Sequence, residues 1–144
     1  MAPVTVSTQE GLRIEIAAGN HRVIADETIH AGGTDTGPDP MQLLKGALGS
    51  CIAMTLLLYA RRKNWPLEKV DVMIDIERFN KDEYPGYTGD SSILHEIREK
   101  IVLHGDQLTD EQRLRLMEIA TKCPVRRVLA NPAVFVDVEE FPIS

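Results

Sequence analysis

The segment DPMQLLKGALGSCIAMTLLLYARRK, Asp39 to Lys63, decides how this chain folds. Asp39 offers a short side-chain acceptor to unpaired N–H groups, and Pro40 suits the first turn of a helix. Gln42 stands three residues beyond the cap, where its amide can reach back, so a helix starts here. From Met41 to about Lys63 it is apolar on most faces, and Gly46, Ala47, Gly49 and Ser50 leave room for another backbone to approach. Arg61, Arg62 and Lys63 place positive charge at the C-terminal end, where the helix dipole favours it, and Pro66 forbids continuation. Such a helix is expected to be central. It needs more cover than one sheet supplies, which predicts a homodimer with this helix near the interface. Its longest apolar run, Ala47 to Ala60, is interrupted by Ser50 and Thr55 and falls short of the roughly 20 residues of a membrane span, so it reads as a core helix.

On the N-terminal side, Val4 to Ser7, Leu12 to Ala17 and His21 to Asp26 read as short strands of an antiparallel meander, with Gly19-Asn20 as a two-residue hairpin turn. His30 to Gly37 is a flexible loop by composition. On the C-terminal side, Val70, Val72, Ile74 and Ile76 alternate with Asp71, Met73, Asp75 and Glu77, which predicts a strand with one wet face. A second long strand carries Ile97, Ile101 and Leu103, and Glu99 breaks its more apolar face. The connection from Asn80 to Asp90 is a loop, in which Tyr84 and Tyr87 either anchor the chain or line an apolar opening. Thr109 and Gln112 form a second capping box that opens a helix through Ala120. Pro124 opens a short segment after Cys123, and Ala133 to Val138 is expected to close the chain as a strand.

This order, without βαβ repetition, points to an α+β fold in a single domain over residues 1–144. Hydrophobic residues at 43% and charged residues at 26% are ordinary for a globular chain. A formal charge of −6 and a pI near 5.2 argue against nucleic acid as a partner. The start MAPVTVSTQEG lacks the basic, apolar and small-residue succession of a secretory leader, so a cytoplasmic location and no membrane association are expected.

Two cysteines far apart in sequence do not make a zinc ribbon or a CxxC motif, so redox chemistry or plain burial remain. Cys51 lies mid-helix among Leu44, Ala47, Leu48, Met54, Thr55 and Leu58, where a packed, inert thiol is one reading. Burial without a nearby cation would raise its pKa. Cys123 precedes Pro124 and would stand at a helix N-cap, where unpaired N–H groups favour the thiolate, with Lys122, Arg126 and Arg127 adding positive charge. Local chemistry therefore makes Cys123 the easier thiolate. His21, His30, His95 and His104 show no metal-binding spacing, and the glycines before Gly37 lack a following Gly-Lys-Ser/Thr, so neither metal nor cofactor is assigned.

The stretch from Gly37 to Cys51 resembles the signature of OsmC-like proteins, in which a capped helix with a small-residue middle carries the first cysteine. Lys122-Cys-Pro-Val-Arg-Arg-Val-Leu129 resembles their second signature, and Leu108 to Gln112 sits where such proteins begin the preceding helix. The resemblance covers nearly the whole chain. It implies the OsmC-like fold, antiparallel sheets packed around the long helix in an intertwined homodimer with active sites at the interface. It also implies that Cys51 attacks organic or hydrogen peroxides and Cys123 resolves the product to a disulfide, after which an external dithiol reductant restores the pair. In the Ohr branch that reductant is a lipoyl-bearing protein. Ohr proteins carry a glutamate ten residues before the first cysteine, where it orients an arginine over the sulfur; here the position is Met41, closer to the YhfA-like branch. Arg13 and Arg22, from the strand layer, are the candidates for activating the thiolate. The alternative reading is a redox-sensing or small-apolar-ligand-binding protein of the same fold that lacks the arginine–glutamate clamp.

Overall fold

Alternation and capping translate into elements much as expected, and the computed structural model describes residues 3–141 of the chain. Strands β1 (Thr5–Thr8), β2 (Ile14–Ala18) and β3 (His21–Ala25) form an antiparallel sheet in that order. Ala18 pairs with His21, so Gly19 and Asn20 are the two-residue turn, and Gly19 takes the positive φ of +59° that a side chain resists. Helix α1 spans Pro40–Lys63, and β4 (Lys69–Asn80) pairs with β5 (Ile93–His104) in a second antiparallel sheet. Helix α2 (Asp110–Ala120) and helix α3 (Pro124–Ala130) follow. The antiparallel sheets and the long helix establish the α+β class.

Contacts along the chain divide it into two units, one running through Leu44 and taking in the segment from Ala133 onward, the other Lys45–Pro132. In the first, the segment after β3 is a built loop, not merely a flexible one. Asp26, 2% exposed, accepts hydrogen bonds from the hydroxyls of Thr34 and Thr36 (2.5 and 2.7 Å) and from the main chain N–H groups of Glu27, Thr34 and Thr36. The two threonine hydroxyls, ahead of the main chain donors, hold its carboxyl far below the usual range against the opposing effect of burial. The same loop turns so tightly that a Cβ on Gly33 would lie 2.1 Å from the Glu27 carbonyl oxygen, and one on Gly37 would lie 2.4 Å from that of Ile24. The α1 cap forms as read: the Gln42 N–H donates to Asp39 Oδ1 at 2.8 Å and the Asp39 N–H to Gln42 Oε1 at 2.9 Å.

In the second unit, α1 buries a stripe at four-residue spacing, Leu48, Ile52, Leu56 and Ala60. It meets Leu108, Leu116, Ile119, Ala120 and Cys123, flanked by Val70, Val72 and Ile74 of β4 and by Ile97, Ile101 and Leu103 of β5. Burying each large aliphatic side chain contributes about 1.5–3 kcal/mol. Gly49 is buried against β4, with Ile74 Cγ1 at 3.6 Å from where a Cβ would stand, whereas Gly46 has nothing within 4 Å. Thr109 and Gln112 exchange the two bonds of their capping box, both at 3.1 Å. In the β4–β5 connection Tyr84 is an anchor, donating to Glu96 Oε2 at 2.7 Å and packing edge-on to Phe79.

One expectation is corrected. Residues 133–138 form no strand, because a strand needs a neighbouring edge and this segment has none within the described residues; Phe135 is 96% exposed. Within this chain α1 leaves apolar residues uncovered. It is long and apolar enough by length and composition to cross a membrane. Yet it buries a single stripe in this core, while Met54, Leu57 and Leu58 face outward, Met54 61% exposed.

Candidate active site

Two elements bring the cysteines into one core. Cys51 sits one turn after Leu48 and one turn before Thr55, whose hydroxyl donates to the Cys51 carbonyl at 2.7 Å, and it is half-buried against the cluster that contains Cys123. Cys123 is the N-cap of α3, with Pro124 at the first helical position, and its Sγ accepts the Arg126 N–H at 3.3 Å. The N-cap placement read from Cys-Pro is thus correct, but its consequence is not. Cys123 is fully buried, and loss of solvent, the largest single influence, raises its pKa against the capping N–H groups of Arg126 and Val125, which lower it. The neighbouring Cys51 thiol pushes the same way. The Cys123 thiol is therefore pushed above its ordinary pKa, reversing the reading that it ionises easily.

Glu99, the exception on the apolar face of β5, finds its partner here. It pairs across the sheet with Ile74, stands two positions from both Ile97 and Ile101, and its side chain is 16% exposed. Its Oε2 accepts a hydrogen bond from Arg126 Nη1. Sequence reasoning missed this pair. The signal was Glu99 itself, a charge that could be tolerated on that face only with a counter-charge beside it. A cavity of about 230 Å³ adjoins the pair, lined by Leu48, His95, Ile97, Glu99, Arg126, Leu129 and Ala130. It is apolar apart from one ion pair and one imidazole, and it touches α1 a turn from Cys51.

Arg13 and Arg22 lie in the other unit, where each has local partners. Arg13 Nε donates to Gln9 Oε1 at 3.0 Å, and Arg22 donates to the carbonyls of Gly19 and His21 and lies 3.7 Å from Glu15. Met41 stands 46% exposed in the first turn of α1. Among the described residues no three His, Cys, Asp or Glu side chains converge as a metal ion would require.

The family model for OsmC-like proteins matches residues 33–139, a span holding both cysteines. The chain belongs to the OsmC-like family. Solved structures of the same fold accompany it. One is a protein from Psychrobacter arcticus described as osmotic-stress-induced and detoxification-response, 20% identical, with 88% of this chain and 87% of that one covered at a TM-score of 0.66. An organic hydroperoxide resistance protein OsmC from Legionella pneumophila is 15% identical, with 90% of each chain covered and a TM-score of 0.62. The organic hydroperoxide resistance protein OhrB of Bacillus subtilis is 19% identical, with 88% of each chain covered and a TM-score of 0.55. No curated protein sequence matches the chain significantly. Identities this low speak for the shared fold alone.

Proposed function

We propose that this OsmC-like protein is a thiol-dependent peroxide reductase in which Cys51 attacks and Cys123 resolves. The observation that carries the reading is the packing of two free thiols in one core, with Cys123 kept protonated by burial and by Cys51 itself. A Cys51 thiolate attacks one oxygen of the hydroperoxide and the O–O bond breaks. That oxygen stays on sulfur as sulfenic acid, and the other leaves with a proton as an alcohol, or as water from hydrogen peroxide. The Cys123 sulfur then displaces the sulfenic oxygen as water, giving the disulfide. A dithiol returns two electrons and two protons by exchange; a lipoyl-bearing protein fits that role, and a cytoplasmic setting suits the cycle.

The outward apolar face of α1 and the exposed Val134, Phe135 and Val136 support a homodimer, which would cover both. Sedimentation should give twice the chain mass, and a monomer at working concentration would remove this part. Met41 favours a second reading, a redox-sensing or small-apolar-ligand-binding protein without turnover. Consumption of cumene hydroperoxide with dithiothreitol or reduced lipoamide decides between the two. The enzyme loses it on Cys51→Ser, and equal rates in wild type and variant would remove Cys51 from the mechanism.

A further inference from the structure

Arg126 is bound at both ends. Its main chain N–H caps the Cys123 sulfur, and its guanidinium is held by Glu99, a carboxylate placed among Ile74, Ile97 and Ile101 on the inner face of the β4–β5 sheet. A carboxylate on that face is costly without a counter-charge, so removing Arg126 leaves Glu99 uncompensated, while removing Glu99 leaves an unpaired, 40%-exposed cation three residues after the thiol in α3. We propose that Glu99 and Arg126 act as a positioning pair for the Cys123 sulfur. Glu99 holds the Arg126 guanidinium and cancels the positive charge that would otherwise draw the proton off sulfur. The inference rests on the dithiol reading above and assigns its second thiol a regulator of its own.

The surroundings of Cys123 leave few other charges to do this. Helix α1 contributes Cys51; α2 contributes the apolar Leu116, Ile119 and Ala120; β4 contributes Val70, Val72 and Ile74. Strand β5 contributes Glu99, with His95 on the neighbouring cavity, and α3 contributes Arg126 beside the main chain N–H of Val125. Lys122 and Arg127, the flanking cations, are solvent-exposed and screened. The arrangement keeps Cys123 a neutral thiol, the form that hydrogen-bonds to a Cys51 thiolate and waits for the sulfenic acid.

The test is the ultraviolet thiolate titration of Cys123 in a Cys51→Ser background, which reads ionisation without any turnover. Glu99→Gln leaves the Arg126 cation uncompensated, and the midpoint should fall by roughly one pH unit, about tenfold more thiolate at a fixed pH below it. Arg126→Gln leaves the Glu99 anion and should raise the midpoint. Arg126→Lys should restore it towards the parent, and the double variant Glu99→Gln with Arg126→Gln should do the same. A purely structural pair would move both single variants alike or move neither, and either result would overturn the proposal. Peroxide consumption by the wild type is measured beside it. Consumption with unmoved midpoints sinks the pair alone, whereas opposite midpoints without consumption uphold the pair and sink the peroxidase reading.

Discussion

The two thiols reach the same core from opposite kinds of backbone. Cys51 is carried mid-helix, half-buried beside the Leu48–Ile52–Leu56 stripe, its carbonyl accepting the Thr55 hydroxyl. Cys123 is fully buried at a helix N-terminus, in a position that by itself favours a thiolate, yet burial and its neighbour keep it protonated. A helix N-terminus lowers a thiol's pKa only as far as desolvation allows. Here burial is the larger influence. Under the proposed reading the difference would divide the labour: one thiol open enough to meet a peroxide, the other sheltered until a sulfenic acid forms beside it.

The strongest way to break this comparison is to exchange the roles. Cys51→Ser should lower peroxide consumption on the order of 10³-fold or more, since the first bond can no longer form. Cys123→Ser should keep the first turnover and lose the cycle. Mass spectrometry after excess peroxide should then find Cys51 carrying two added oxygens as the irreversible sulfinic acid. If Cys123→Ser cycled at the wild-type rate with dithiothreitol, the sheltered thiol would have no part as resolver.

Smaller effects sharpen the same contrast through the core. Leu116, fully buried against both α1 and Cys123's neighbourhood, should cost about 2–5 kcal/mol of unfolding free energy when changed to Ala, read from the urea midpoint. The smallest effect is the pH signature of Cys123. Its folded pKa lies above the unfolded value, so the folded chain holds the proton more tightly. Its contribution to stability is complete below the unfolded value of about 8.5 and declines as pH rises from there through the folded pKa. The urea midpoint of the wild type should therefore fall across that alkaline range more steeply than that of Cys123→Ala. Equal slopes would remove burial as the dominant influence on this thiol.

How far the sequence was legible follows from the range of the interactions involved. The Asp39–Gln42 and Thr109–Gln112 boxes, the Gly19-Asn20 turn and the Cys123-Pro124 cap are set by residues within four positions, and each forms as read. The alternation in β4 and the stripe of α1 were equally plain. Contacts across long separations were not. Glu99 announced itself as an anomaly, but nothing near it in sequence says that Arg126 of α3 would meet it. Asp26 read as the end of a strand, because its two threonine partners act through a loop whose path no local pattern gives. The segment 133–138 shows the converse limit. Its apolar, extended pattern is real, but pairing requires an edge, and a pattern alone does not supply one.

The central claim, a peroxide-reactive dithiol, is tested most directly by intact mass and peptide mapping after one equivalent of cumene hydroperoxide. The account predicts rapid loss of two hydrogens and a single Cys51–Cys123 disulfide, reversed by reduced lipoamide. An unchanged mass, or oxygen accumulating on Cys51 while Cys123 stays free, would contradict it.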